Sequence, residues 1–369
     1  MKVIIRIILM LNTFIVAFSI PVFADEISNL NEYIDDEILN ALPDGIKEVV
    51  EANDTYSGPS VQGTLNYIVS LLKTLIDPVL DTFFMIIGVV ILCSCFYMLA
   101  GIGGDSASVR IYRFLASISL AVMVFGILKN IWLDLDQLLM RLNTLMNSIT
   151  VATTSIYALS GSVTAAVINE SQMMLILTLI EDLIYYSTYP VLQICFGMSF
   201  VSCIGESVDL SSLASLIRKT FTTVLIILMS IVTTVLSFQN TLAQSNDSFM
   251  IRTVKIASGS FIPLVGNALS EATRTIAAGI DSLKSTLGII SIIALISTVL
   301  PLFITIWLNR FSFSIASAFC EVLGLDREAG FLKGSAEILD FSIAIISAIT
   351  MIFVINLIIF VKSKVIYGV

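Results

Sequence analysis

A chain of 369 residues that is 57% hydrophobic and 13% charged lies far from a soluble domain, in which about a quarter of residues are charged. Its mean hydropathy of +0.99, with several apolar runs near the ~20 residues that cross a ~30 Å hydrocarbon core, predicts an all-α, polytopic membrane helix bundle. With no histidine anywhere and a formal net charge of −9, Ser/His/Asp and Cys/His catalysis, HExxH zinc proteases and imidazole-bound metal or haem are excluded.

Lys2 and Arg6 precede an apolar run, Ile7 to Ile20, and Val22-Phe23-Ala24 then supplies small residues before Asp25. This predicts a secretory signal peptide over residues 1–24, the other reading being an uncleaved first membrane helix. In both readings the following segment is exported. Residues 25–60 hold ten acids against one base, Lys47, so nearly the whole net charge sits there; residues 61–369 hold 18 acids and 16 bases. No basic patch of the kind nucleic acids need is left, and none is expected as a partner. Ile27, Leu30, Ile34, Ile38 and Leu42 recur at helical spacing, Pro43-Asp44-Gly45 breaks the pattern, and Ile46, Val49 and Val50 resume it. The expectation is a small helical extracytoplasmic arm over 25–78, its acidic faces either solvated or docked on another exported protein. Its last stripe, Leu65 to Ile76, predicts a helix on the membrane surface ending at Asp77-Pro78.

The multispan domain is expected over 79–369. Thr82–Ile102, Phe114–Trp132, Thr220–Phe238, Leu287–Leu308 and Ile338–Val361 read as spans. Gln172–Ile204 would be about 50 Å of helix, exceeds a bilayer, and contains Glu181, Asp182 and Pro190, so it must bend or break. Met146–Ile168 and Phe311–Leu325 are weaker segments that are tilted, re-entrant or buried. Arg110, Arg113, Arg218, Lys219, Arg310, Lys362 and Lys364 belong to the cytoplasmic side. An exported amino end and a cytoplasmic carboxyl end need an odd number of crossings, so about seven are expected, within a range of six to eight.

The five cysteines, Cys93, Cys95, Cys195, Cys203 and Cys320, all lie in apolar stretches and read as small packing residues. There is no P-loop, so energy must come from a partner. Carboxylates at membrane depth are costly and mark functional positions. Glu181, Asp182 and Asp340 are therefore candidates to line a polar interior. The competing readings are an interfacial turn at Glu181-Asp182 and a helix cap at Asp340. Pro190 and Pro301 predict kinks. Ser160-Gly161-Ser162 and Ala165-Ala166 read as small residues for close helix approach.

Arg252-Thr253-Val254-Lys255-Ile256-Ala257-Ser258-Gly259-Ser260-Phe261-Ile262-Pro263-Leu264-Val265-Gly266-Asn267 is a polar segment between two spans that hydropathy alone reads as a loop. With Glu271-Ala272-Thr273 after it, and with the order of signal, acidic arm and multispan body, it resembles the stage III sporulation protein AE family. The resemblance implies a non-enzymatic polytopic subunit, without cofactor or metal, of a secretion-like channel that links mother cell and forespore. It implies residence in the mother-cell membrane surrounding the forespore. The partners it implies are other stage III sporulation membrane proteins, their separate secretion-type ATPase and a forespore-side channel partner. Arg252, Lys255, Gly259, Phe261, Pro263 and Gly266 match the family segment and become the candidate gate element. The rival function class is a free-standing secondary transporter, whose inverted repeat this sequence lacks.

Overall fold

The computed structural model describes residues 61–102, 106–204, 210–258 and 266–362. The expected signal peptide, the arm over 25–60, and Gly259, Phe261 and Pro263 lie outside the described residues. Every described element is helical, in the order α1 (Val61–Ile102), α2 (Ser106–Leu159), α3 (Val163–Asp182), a π-helical turn (Leu183–Thr188), α4 (Tyr189–Ile204), α5 (Ser211–Ser258), α6 (Gly266–Val322) and α7 (Asp326–Lys362).

Residues 61–78 do not form a separate surface helix. They run straight into the first span, because Pro78 removes one backbone donor without clashing beyond its own turn, and the Thr82 hydroxyl donates to the Pro78 carbonyl at 2.9 Å. The break demanded of the 172–204 stretch is the π-helical turn. Pro190 has no N–H to offer the preceding turn, and a register with one extra residue per hydrogen bond lies just ahead of it. Met146–Ile168 is neither a span of its own nor a re-entrant loop but the tip of the α2–α3 hairpin. Ser160-Gly161-Ser162 is the turn itself rather than a helix contact. Gly161 adopts φ +74°, the Ser162 N–H bonds the Tyr157 carbonyl and the Gly161 N–H that of Ala158, which is a Schellman ending that needs a residue free to enter the left-handed region. Gly324, at φ +72°, ends α6 with the same pair of bonds. Phe311–Leu325 is therefore mostly the last part of α6 and not a further crossing.

Among the described residues, six stretches are long and apolar enough to span a bilayer: Lys73–Leu99, Val109–Leu159, Val163–Ile204, Ser211–Gln239, Gly279–Val322 and Asp326–Lys362. Six lies within the expected range of six to eight, one below the expected seven. Helices that follow one another pack antiparallel, with Phe96 stacked near Tyr112 and Arg310 against Asp340, whereas α5 and α7 run side by side in the same direction, joined by Arg218–Glu337 and Phe221–Phe341. One end thus gathers the connections between α1 and α2, α4 and α5, and α6 and α7. The other gathers the α2–α3 turn and the end of α7, where Phe360 meets Tyr157. An even count brings Lys362 back to the end at which α1 begins, which separates the described carboxyl-terminal residues from the basic end that holds Arg110 and Arg113.

The most apolar span is the least exposed to lipid. In α7, 72% of the apolar window is buried, against 22% in α1 and α5. Phe331 is ringed by Phe196 and Phe200 of α4, and Phe341 meets Phe221 of α5 edge to face. Between helices in lipid there is little hydrophobic drive, so such close packing, worth about 0.5–1.5 kcal/mol per aromatic pair, carries the assembly.

Candidate functional site

Three carboxylates of α7 are each held by a different part of the bundle. Glu328, in the first turn, is fully buried; it accepts hydrogen bonds from the Tyr97 hydroxyl of α1 at 3.3 Å and the Ser117 hydroxyl of α2 at 3.1 Å. The positive end of its own helix adds to its stabilisation as an anion. Arg113 stands over the Tyr97 ring, 5.4 Å from its centre. Two and three turns further along, Glu337 pairs with Arg218 of α5, and Asp340 takes a two-pronged contact from Arg310 of α6 at 3.0 and 3.3 Å. The Arg218 side chain is only 3% exposed, and its Nε and Nη1 have no hydrogen-bond partner. A charge so enclosed tolerates no loss of its counter-charge.

A second polar belt closes the hairpin tip. Asn169 of α3 donates to Thr153 and Thr154 of α2 at 2.9 and 3.2 Å, and Gln172 donates to Gln239 of α5 at 3.1 Å. These bonds explain why 146–168 is too polar for a lipid-facing span: its polar groups satisfy one another inside the bundle. Lys284 of α6 is also buried here, 4.8 Å from the centre of the Tyr157 ring.

The candidate residues read from the sequence are not gathered into one place. Asp340 is neither a cap nor free: it lies well inside α7 and is tied to Arg310. Glu181 and Asp182 are exposed at the end of α3, just before the π-helical turn, and Glu181 borders a small cleft with Asn143 and Phe353. No hydrogen bond or ion pair joins them to Asp340. Arg252 and Lys255 belong to the carboxyl-terminal part of α5, and Gly266 opens α6. The segment that hydropathy reads wholly as a loop is thus helical up to Ser258 and again from Gly266. Sequence reasoning missed Glu328, Arg218 and Glu337. The i,i+3 spacing of Glu337 and Asp340 at the head of an otherwise apolar run was the available signal, since acids there need cations on neighbouring helices. Glu328 sits in the polar stretch Asp326-Arg327-Glu328, and nothing local sets it apart.

These features define a polytopic helix bundle of the membrane, clamped by fixed ion pairs and without a gathered catalytic constellation among the described residues. The stage III sporulation protein AE family model matches residues 47–364, and the chain belongs to that family, which serves the third stage of sporulation. It is similar to stage III sporulation protein AE of Bacillus subtilis (strain 168), with 27% identity over 170 residues, 46% of this chain and 43% of that protein. The match thus spans less than half of the length of that curated relative. No solved structure matches.

Proposed function

We propose that this protein is a non-enzymatic membrane subunit of the sporulation channel, a secretion-like complex linking mother cell and forespore, needed for forespore development. It would reside in the mother-cell membrane around the forespore. It would be joined there to other stage III sporulation membrane proteins and a forespore-side partner, and be energised by a separate secretion-type ATPase. The family match over 47–364 is the observation that carries this reading. Two structural features support a subunit over a free-standing secondary transporter. The α7 carboxylates are consumed by fixed partners rather than aimed at a binding cavity. Meanwhile Glu181 and Asp182 stand on the outer surface of the bundle, where a carboxylate facing lipid costs about 3 kcal/mol, so a neighbouring subunit or the conduit itself supplies their polar surroundings. In this reading the polar interior lies between subunits. The 252–267 segment, with Arg252, Lys255, Gly259, Phe261, Pro263 and Gly266, lies at its mouth.

Crosslinking of the full chain in sporulating cells, followed by identification of co-purified proteins, tests this directly: other stage III membrane proteins are expected, and recovery of the chain alone would refute it. Joint Glu181→Gln and Asp182→Asn substitution is expected to lower sporulation frequency at unchanged protein level. Wild-type frequency would show instead an interfacial turn without contact to partners.

A further inference from the structure

At the end of the bundle that gathers the α1–α2, α4–α5 and α6–α7 connections, three guanidinium groups line one cleft of about 380 Å³: Arg110 and Arg113 of α2 and Arg327 of α7, beside Tyr97, Ser117 and Cys203. Arg110 is exposed and the other two are half-buried. Among the described residues none of the three has an ion pair; the two pairs present are Arg218–Glu337 and Arg310–Asp340. Glu328 is fully buried and accepts from the cleft residues Tyr97 and Ser117, and the described lining of the cleft holds three guanidinium groups and no carboxylate. The Nε of Arg113 is enclosed and has no acceptor at all. A buried donor of this kind is rarely left unsatisfied.

The other walls of the cleft are apolar and face outward: Ile111 is 59% exposed and Phe114 is 48% exposed. A cationic cleft at a helix end, opening along an apolar rail, has the two-part chemistry of a phospholipid, with acyl chains along the rail and the phosphate among the guanidinium groups. Arginine suits this better than lysine, because its planar fork matches two phosphate oxygens at once. The start of α7, at Asp326-Arg327, adds the positive end of a helix dipole.

We infer that Arg110, Arg113 and Arg327 form a binding site for a phosphate group, supplied by the headgroup of an anionic phospholipid of the surrounding bilayer. This rests on membrane residence alone and not on the channel reading, so either can fail without the other.

The test uses the full chain, purified in neutral detergent and returned to phosphatidylcholine vesicles or to vesicles containing phosphatidylglycerol, with inorganic phosphate as a separate addition. Native mass spectrometry reads bound lipid, and thermal unfolding reads stabilisation. Wild type is expected to retain phosphatidylglycerol and to unfold at a higher temperature with it than with phosphatidylcholine. Each arginine lost is expected to weaken binding about fivefold, as one basic group near an anionic surface does. Joint Arg110→Gln, Arg113→Gln and Arg327→Gln should abolish the selectivity. Arg110→Gln alone, at an exposed position that carries no packing, should reduce it if the triple variant does not fold. Lys219→Gln, exposed at the same end but outside the cleft, should leave it unchanged. Stabilisation of wild type by inorganic phosphate, lost in Arg110→Gln, would support the site and assign it to a free ion. Equal retention of phosphatidylglycerol by wild type and Arg110→Gln, equal loss with Lys219→Gln, or no response to either probe would overturn it.

Discussion

Arg218 is a tightly constrained charge, because its side chain is 3% exposed and Glu337 is its salt-bridge partner. Glu337→Gln would leave a buried guanidinium without compensation. Fully enclosed pairs lose about 3–5 kcal/mol when broken in this way. Since Glu337 is itself 35% exposed, the smaller loss of about 2 kcal/mol is expected. Asp340→Asn breaks a pair of which both members reach solvent or headgroups, at 39% and 22% exposure, and is expected to cost less than about 1 kcal/mol. Thermal unfolding of the two variants in the same detergent checks the order; an equal or reversed shift would show that Arg218 finds another acceptor. The residue scale is also where the sequence was least informative. That Asp340 stood within an apolar run, where an acid needs a partner, was legible from the sequence. That its partner was Arg310, and that Glu328 rather than Glu181 was enclosed, depended on helix pairings thirty to more than two hundred residues apart in the chain.

Elements fared differently. Apolar length fixes where helices must lie, so the five secure spans all fall within described helices. Local chemistry then decides their ends, and here hydropathy misled in both directions. Pattern alone makes Pro78 a stop, although a proline costs only its own turn. Small size makes Gly161 a contact residue, although its backbone freedom is the property the turn uses. Close contact does depend on glycine at Gly288 of α6, where a Cβ would lie 2.0 Å from Val361 Cγ2, and at Gly334 of α7, where it would lie 2.8 Å from the Ser199 hydroxyl of α4. Gly334→Val displaces the Ser199 side chain and crowds its Cβ at 3.3 Å, with an expected cost of about 1–3 kcal/mol from overpacking. Gly330, one turn earlier on the exposed face, has nothing within 4 Å of the same position. Gly330→Ala is expected to be neutral or to stabilise by up to about 1 kcal/mol through helix propensity. Unfolding temperatures of both variants, measured side by side, decide it, and a harmless Gly334→Val would mean that α4 and α7 are not pressed together there.

At the scale of the whole molecule two rules, charge bias and alternation, conflict. Lys362 and Lys364 ask for a cytoplasmic carboxyl end, which with an exported arm needs an odd count. The six spans among the described residues are even in number. The conflict resolves if the denser basic cluster governs orientation: Arg110, Arg113, Arg218, Lys219, Arg327 and Lys333 all lie near the end with the α1–α2, α4–α5 and α6–α7 connections, and short-loop bases outweigh those at a chain end. That end then faces the cytoplasm. The α2–α3 turn, the start of α1 and Lys362 lie together on the opposite side, where α2 and α6, at roughly 80 Å and 85 Å of helix, reach well past a ~30 Å hydrocarbon core. Single cysteines at Val163, Lys362 and Asp326, all exposed, in a chain whose five natural cysteines are replaced, are expected to separate with an impermeant thiol reagent. Val163 and Lys362 should react in intact cells, and Asp326 only after the membrane is opened. Reaction of Lys362 and Asp326 under the same condition would mean that α7 does not cross and would leave five crossings, an odd count. Reaction of Asp326 alone in intact cells would keep six crossings and invert the bundle.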